Sequence, residues 1–216
     1  MNSLPALMLA AAMLALTQPV LGWDAPVEIR LADTEAHRVQ SMQPRPMPLR
    51  ERDRYGHKIR GDHPFDSVFR KYTRHYFFDL RIDWRWFRAQ AHVESELQPD
   101  RRSRSGAIGL MQIMPRTARE IRARNPHIGT PLDPHHNIAA GIYYNRMLYE
   151  AWAVIPDEED RMRFMFASYN AGLGTVQRAH QRAGRPDRFD ALSDVMPPGP
   201  RRYVWKIQQE RMRLGD

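Results

Sequence analysis

The sequence predicts an all-α protein. From Phe65 onward, apolar residues recur every three to four positions, which is the spacing of one helix face. No stretch alternates apolar and polar residues as a half-buried strand does. Prolines, acidic residues and glycines stand where helices begin and end. We expect this helical region to cover residues 64–216 as one domain, with two extensions before it.

The first extension, residues 1–22, is predicted to be a secretory signal peptide. An apolar run from Leu7 to Leu16 has the length of a signal peptide and is followed by Pro19 and the small residue Gly22. The run is short for a membrane span. No Lys or Arg precedes it, although signal peptides usually have one, so an uncleaved N-terminal anchor is the alternative. The absence of cysteine excludes a bacterial lipoprotein anchor.

The second extension, residues 23–63, is predicted to be a linker that is largely disordered. It is polar, contains several prolines and has neither helical nor strand periodicity. Its Pro-x-Pro spacing also occurs in binding motifs, but a spacer is the simpler interpretation.

Seven helices are predicted in the rest of the chain. The first covers Asp66 to Phe78, and the second follows a candidate cap at Asp83 and runs from Trp84 to Leu97. This second helix has apolar residues on two sides, as a helix in a protein core does. The third begins at Pro115, because proline fits the first turn of a helix.

The later helices carry similar signals. The fourth, from His135 to Val154, has one face formed by Ile138, Ile142, Asn145, Leu148 and Trp152. The acidic run after Pro156 opens the fifth, since acids favour the positive end of a helix, and this helix ends near Gly172. Thr175 can cap the sixth, and the last covers about Arg201 to Leu214.

The composition limits the classes of function. The chain has 33 Lys+Arg against 25 Asp+Glu, a net charge of +8 that comes almost entirely from arginine. A basic protein favours polyanionic partners such as nucleic acid, an anionic membrane surface or an acidic cell-wall polymer. The arginines are scattered, which weakens the nucleic-acid interpretation and leaves a merely solvated surface as the plain alternative. Without cysteine, disulfides, thiolate metal sites and cysteine nucleophiles are excluded.

Glu94 is the candidate catalytic residue. It lies near the end of the second helix, where a side chain is expected to be largely buried. A carboxyl removed from water has its charged form disfavoured, so its pKa rises. A general acid that works near neutral pH requires such a rise. Position alone still favours the plainer alternative, a buried glutamate satisfied by an arginine or a backbone group.

Polar and flexible side chains follow Glu94 in the sequence. The hydroxyls of Ser103 and Ser105 can hydrogen-bond a carboxyl or a sugar hydroxyl. Gln112 brings amide donors and an acceptor beside the thioethers of Met111 and Met114, a mixture that can hold an amphipathic sugar. Methionines at such positions more often pack in the core.

Other chemistries find no support in the sequence. His92 and Glu94 form an H-x-E, but a zinc deaminase would also need cysteines. There is no H-E-x-x-H, Walker loop or dinucleotide fingerprint. The adjacent His135 and His136 are badly placed to bind one metal together and are interpreted as helix-start residues. We therefore expect neither a metal nor a cofactor.

Four blocks of the sequence resemble the soluble-type lytic murein transglycosylase (SLT) domain. They are VES at 93–95, GAIGLMQIMPRTA at 106–118, NIAAGIYY at 137–144 and ASYNAGLGTV at 167–176. Their order and spacing form a specific set, and the resemblance covers about Phe65 to Leu214. It implies an all-α, lysozyme-like fold, and it favours the catalytic interpretation of Glu94 over the plain one.

The resemblance also implies roles for single residues. Glu94 matches the catalytic acid/base. The residues that match positions near this acid or along the sugar groove are Ser103, Ser105, Met111, Gln112, Tyr169, Asn170 and Tyr203. Three departures stand out: Leu97 replaces a usual aromatic residue, Leu173 replaces a proline, and PPGPRRYV at 197–204 lacks an acid that many members carry before the late tyrosine. None of them removes the catalytic acid.

The activity implied is cleavage of the β-1,4 bond between N-acetylmuramic acid and N-acetylglucosamine in peptidoglycan, without water. Most glycosidases use two carboxylates. Glu96 cannot be the second, since residues i and i+2 point to different sides of a helix. One acid suffices if the muramyl acetamido group stabilises the anomeric carbon and the C6 hydroxyl attacks it. The product is then a 1,6-anhydromuramyl end.

Three alternatives remain open at this stage. They are a lysozyme that admits water, a non-catalytic protein that binds the cell wall or helps assemble the envelope, and a nucleic-acid binder, which the export signal disfavours. We expect a monomer in the periplasm or cell envelope, with peptidoglycan strands rather than nucleic acid as its partner and with peripheral association with the envelope. Cell-wall turnover and local opening of the wall for a secretion machine both fit.

Overall fold

The computed structural model describes residues 63–215, so the predicted signal peptide and nearly all of the predicted linker lie outside the described residues. Within this range the chain forms seven α-helices and one short 3-10 helix. In this described part, the backbone pairs in β fashion only at two isolated bridges, Arg102 with Ile108 and Ile108 with Ile113. The predicted all-α fold is confirmed.

The helices are numbered in chain order. Their bounds are α1 Asp66–Tyr76, α2 Arg85–Ser95, α3 Pro115–Arg124, α4 Pro134–Ala151, α5 Glu158–Ala171, α6 Leu173–Arg182, the 3-10 helix Phe189–Leu192, and α7 Pro198–Arg213. In the described part of the chain, no helix has both the length and the apolar character needed to cross a membrane.

Aspartate side chains accept backbone hydrogen bonds where three of the helices begin. Asp133 accepts hydrogen bonds from the backbone N–H groups of His135 and His136 at 2.8 and 3.1 Å, and so opens α4. Asp157 opens α5 in the same way through the N–H of Asp160 at 2.8 Å. The Asp83 carboxylate accepts from the N–H of Arg85 at 3.0 Å at the start of α2. These bonds satisfy backbone donors that a helix start leaves without partners.

Two predicted helix starts differ from the structure. Thr175 caps no helix: α6 already begins at Leu173, directly after Gly172, whose φ of +83° breaks the chain direction between α5 and α6. The last helix begins at Pro198 rather than Arg201, since prolines fit the first turn, where no backbone donor is needed. The 3-10 helix before α7 was not predicted.

The core forms around α2 and α5. Helix α2 packs against α7 and α1, while α5 packs against α4, α6 and α7. Phe87, Ala89 and Ala91 of α2 are fully buried, which agrees with the prediction of a core helix. The predicted face of α4 is also buried along its whole length, including the polar Asn145. This arrangement brings the end of α2, with Glu94, against the middle of α7.

Candidate active site

The centre of the site is a contact between α2 and α7. The Tyr203 hydroxyl donates a hydrogen bond to Glu94 Oε1 at 2.6 Å. Burial raises the pKa of the Glu94 carboxyl to about 7, and the Tyr203 hydrogen bond opposes part of this rise. Burial prevails because the single donor replaces only part of the lost hydration. At neutral pH the carboxyl can therefore both give and take a proton.

Two tyrosines surround this carboxyl. Burial, followed by the charge of Glu94, raises the pKa of both Tyr169 and Tyr203 well above the usual value for tyrosine. Both side chains therefore stay protonated at neutral pH. Tyr169 uses its hydroxyl to donate to the Met111 carbonyl at 2.7 Å, and its ring packs against Tyr144 with 5.4 Å between centroids.

Ser95 fixes the end of the helix that carries Glu94. Its hydroxyl is buried and lies 3.1 Å from the Ala91 carbonyl and 2.9 Å from the Leu110 carbonyl, both of which are acceptors. Helix α2 ends at Ser95, and the next residue, Glu96, has a φ of 56° that turns the chain away. The sequence placed Ser95 in the VES block but gave it no role. The structure assigns it to joining α2 to the following loop.

The loop from residue 106 to 114 is anchored on α4 by Asn137. The Asn137 side chain accepts from the Met111 N–H at 2.8 Å and donates to the Ile108 carbonyl at 2.8 Å. Gly109 has a φ of +75°, and a Cβ there would lie 2.4 Å from Asn137 Nδ2. Glycine is therefore required by both backbone angle and space. Sequence reasoning missed Asn137, although it lies in the NIAAGIYY block.

The predicted groove residues of this loop are used in different ways. The Met111 side chain is fully buried and fits against Gly141, where a Cβ would come within 2.7 Å of it. Its carbonyl, rather than its thioether, reaches the site through Tyr169. Gln112 turns its amide nitrogen inward, donating to the Arg101 and Gly109 carbonyls at 3.2 and 2.9 Å. Both residues hold the shape of the loop.

Three further predicted site residues are partly or fully exposed. Ser103 accepts a hydrogen bond from the Ala107 N–H at 3.0 Å and so closes its own turn, while Ser105 is exposed. Asn170 is exposed near the end of α5, next to Tyr169. Among residues 63–215, no hydrogen bond joins Glu94 to Ser103, Ser105 or Asn170. The same part of the chain contains no cluster of three or more acidic or histidine side chains that could hold a metal ion.

Comparison with known proteins gives concordant matches. Residues 72–191 match the family described as the transglycosylase SLT domain. The membrane-bound lytic murein transglycosylase F of Shewanella halifaxensis is 35% identical over 147 residues, which is 66% of this chain and 28% of that protein. The enzyme of the same name from Shewanella pealeana is 38% identical over 138 residues, 62% of this chain and 26% of that protein.

Solved structures match the same region. The 70 kDa soluble lytic transglycosylase of Escherichia coli superposes with a TM-score of 0.58 at 30% identity, covering 70% of this chain and 25% of that protein. A complex of the 70 kDa soluble lytic transglycosylase with bulgecin A matches with a TM-score of 0.57 at 28% identity, covering 71% of this chain and 25% of that one. The chain thus spans between a quarter and a third of the length of these relatives.

Proposed function

The chain belongs to the transglycosylase SLT domain family, and from this premise we propose that it is a lytic transglycosylase of peptidoglycan. It cleaves the β-1,4 bond between N-acetylmuramic acid and N-acetylglucosamine without water and leaves 1,6-anhydromuramyl ends. The relatives named lytic murein transglycosylases support the substrate class. The chemistry itself is argued from the site.

One observation carries the proposal, the state of the Glu94 carboxyl. Burial raises its pKa to about 7, whereas a glutamate in water has a pKa of 4.5. A carboxyl with this pKa is partly protonated at neutral pH, so it can protonate a leaving oxygen and then recover the proton. A glutamate held only for structure is better served by an arginine partner, and here the partner is the neutral Tyr203.

The proposed reaction uses this one carboxyl twice. Glu94 gives its proton to the glycosidic oxygen, and the bond from that oxygen to the muramyl anomeric carbon breaks. The muramyl acetamido group stabilises the positive anomeric carbon. The C6 hydroxyl of the same sugar then attacks this carbon and returns its proton to Glu94. Intramolecular attack gains from proximity, so no water has to be positioned.

Among residues 63–215, no second carboxylate shifts the pKa of Glu94, which favours this route over hydrolysis. Two-carboxylate glycosidases place their acids within about 10 Å of each other. Among the described residues, no acidic side chain contributes to the pKa shift of Glu94, which comes from burial and Tyr203. Glu96 is exposed on the outer side of the turn that ends α2. In this part of the chain, no second carboxylate is thus in close electrostatic contact with Glu94, which favours the intramolecular route.

Charge on the loop after α2 supports an anionic substrate. Arg101, Arg102 and Arg104 are exposed there, just before the block that Asn137 anchors. We infer that they hold carboxylates of the peptide stems, which would bring glycan strands to the site by electrostatic attraction. Ser103, Ser105, Met111, Gln112, Tyr169 and Asn170 are proposed to shape the sugar groove, with Tyr203 on its wall. The protein is proposed to act as a monomer, exported to the periplasm or envelope by residues 1–22.

Digestion of purified sacculi tests the proposal. The experiment is run in water enriched in oxygen-18, and the muropeptides are analysed by mass spectrometry. We expect anhydromuramyl ends without label, because water does not enter the new bond. Labelled reducing ends as the main product would identify a lysozyme. Binding to sacculi without release of muropeptides would identify a non-catalytic wall protein.

A further inference from the structure

A chain of buried hydrogen bonds leads from the core to the catalytic carboxyl. Asn145 Nδ2 donates to Gln90 Oε1 at 2.7 Å, and Gln90 Nε2 donates to Tyr203 Oη at 3.1 Å. Tyr203 then donates to Glu94 Oε1 at 2.6 Å. Asn145 and Gln90 are both fully buried. Helices α4, α2 and α7 each supply one of the three links that precede Glu94.

Which group donates in each of these hydrogen bonds is decided at Asn145, the residue of the series farthest from Glu94. Asn145 Nδ2 also lies 3.0 Å from the Gly141 carbonyl oxygen, one turn earlier in α4. A carbonyl oxygen can only accept a hydrogen bond, so the group that faces it must be the NH2 of the Asn145 amide. That nitrogen has two hydrogens, and the second points to Gln90. The backbone thereby settles the amide orientation, which the positions of nitrogen and oxygen atoms alone do not distinguish.

The orientation of Gln90 follows from that of Asn145. An NH2 group of Asn145 at 2.7 Å requires an oxygen on the Gln90 side. The Gln90 NH2 group must then face Tyr203. In the opposite orientation two NH2 groups would meet at hydrogen-bonding distance, which is unfavourable in a buried site. Gln90 therefore acts as a donor to the Tyr203 oxygen.

The consequence reaches the reacting proton. Because Gln90 presents an NH2 group and no acceptor to Tyr203, the Tyr203 hydrogen finds its acceptor at Glu94 Oε1. Oε1 is then an acceptor in both protonation states of the carboxyl, and the acidic proton must lie on Oε2. If the bond ran the other way, protonated Glu94 would give its hydrogen to Tyr203 and would have none ready for the glycosidic oxygen.

We propose, on the premise of the function given above, that Gln90 and Asn145 are positioning residues that make Tyr203 a permanent donor to Glu94 Oε1 and so keep the transferable proton on Oε2. Neither amide touches substrate. Both act through Tyr203, and their orientation derives from the Gly141 carbonyl.

A purely structural role explains these amides less well. Both lie on helix faces that are otherwise apolar, where leucine or methionine would fill the same space. The buried Asn145 Oδ1 has no hydrogen-bond partner among the described residues. An asparagine at this position therefore costs free energy, because its Oδ1 is buried without a partner, but its NH2 group donates two hydrogen bonds. Two donated hydrogen bonds, to Gly141 and to Gln90, are what orients the series of hydrogen bonds towards Glu94.

The decisive measurement is the titration of the Glu94 carboxyl by NMR, on the full chain with carbon-13-labelled glutamate. Its signal is assigned by its loss in Glu94→Gln. We expect Gln90→Met to raise the Glu94 pKa by about half a unit or more, because Tyr203 can then turn and accept from the neutral acid. Tyr203→Phe should also raise it. In the Tyr203→Phe background, Gln90→Met should add nothing.

Controls separate positioning from packing. Gln181→Met makes the same change at an exposed site and should leave the titration unchanged. Asn145→Leu breaks the chain one link further in and should shift the Glu94 pKa in the same direction, which provides a second variant if Gln90→Met does not fold. Muropeptide release by Gln90→Met should show a lower kcat with nearly unchanged KM.

Two results would overturn the proposal. One is an unchanged Glu94 pKa in a folded Gln90→Met or Asn145→Leu protein. The other is an equal shift with and without Tyr203, which would mean that Gln90 does not act through this hydroxyl. The titration needs no turnover, so a wild-type protein that releases no anhydromuropeptides would refute the proposed function and leave this test intact.

Discussion

The Ser95 hydroxyl lies 2.9 Å from the Leu110 carbonyl and ties the helix that carries Glu94 to the loop that carries Met111. Ser95 and Leu110 are both buried, so water cannot replace the hydrogen bond between them. We expect Ser95→Ala to lower the free energy of unfolding by about 1–3 kcal/mol, because the Leu110 carbonyl loses its donor. Urea unfolding measures this loss.

The matched control for this change is Ser193→Ala. Ser193 is exposed, and its hydroxyl bonds only the neighbouring Asp194 carboxylate at the surface. The change in its free energy of unfolding should stay within about 0.5 kcal/mol. Equal losses for the two variants would contradict the role given to Ser95.

Glu94→Gln should abolish catalysis and keep the fold. The amide has nearly the same shape and can still accept from Tyr203, but it can neither give nor take the proton. We expect muropeptide release to fall by at least about 100-fold, the usual contribution of a general acid. Glu96→Gln removes an exposed carboxyl two residues away and should keep nearly full activity. Wild-type turnover by the Glu94 variant would refute the mechanism.

The raised pKa of Glu94 makes the free energy of unfolding depend on pH. The folded-state pKa of Glu94 is about 7 and the value in water is 4.5, so the folded protein binds the proton more tightly. Its contribution is therefore fully favourable below pH 4.5 and is lost as the pH rises through 7. The loss amounts to about 3 kcal/mol.

Unfolding of wild type and Glu94→Gln at a series of pH values checks this sign. The free energy of unfolding of the variant, taken relative to wild type, should rise between about pH 4.5 and pH 8. Groups that are common to both proteins cancel in this difference, so it isolates Glu94. A difference that falls with pH would mean that the carboxyl is stabilised as an anion.

Gly109→Ala should damage both stability and activity. Its backbone angle is unfavourable for alanine, and the added Cβ would lie 2.4 Å from Asn137 Nδ2. Gly184 is the control, since it has a φ of +80° but no neighbouring atom within 4 Å of an added Cβ. Gly184→Ala should lose about 1 kcal/mol from the backbone alone. Gly109→Ala should lose clearly more and also lower muropeptide release. Equal losses would show that Asn137 is not the limiting contact.

Local signals in the sequence located most of the fold. A cap, a proline and an acidic run marked the starts of α2, α3 and α5, because a helix end is decided by a few neighbouring residues. The start of α7 was placed three residues too late, because Pro198 and Pro200 lie in its first turn, where a missing backbone N–H is tolerated. The proposed cap at Thr175 was wrong because the break between α5 and α6 occurs earlier, at Gly172, whose positive φ accommodates it.

The arrangement of the site was less accessible from the sequence. The resemblance named Tyr203 and Glu94 separately, but their contact joins residues 109 positions apart and depends on the packing of α7 on α2. Gln90 was given no role from the sequence, and Asn145 was placed only as one member of the α4 face. Their connection needs three helices in place. Met111 was expected at the groove, whereas its side chain is in the core and its carbonyl faces Tyr169.

The distance in sequence between Glu94 and Tyr203 also sets the order in which the chain acquires its chemistry. During synthesis Glu94 is made 109 residues before the tyrosine that orients it. A nascent or clipped chain that lacks α7 therefore holds the acid without its donor and without the helix that shields it from water. Its carboxyl would titrate as an ordinary surface glutamate and stay ionised at neutral pH. The proposed activity thus depends on the docking of α7, the last helix of the described residues.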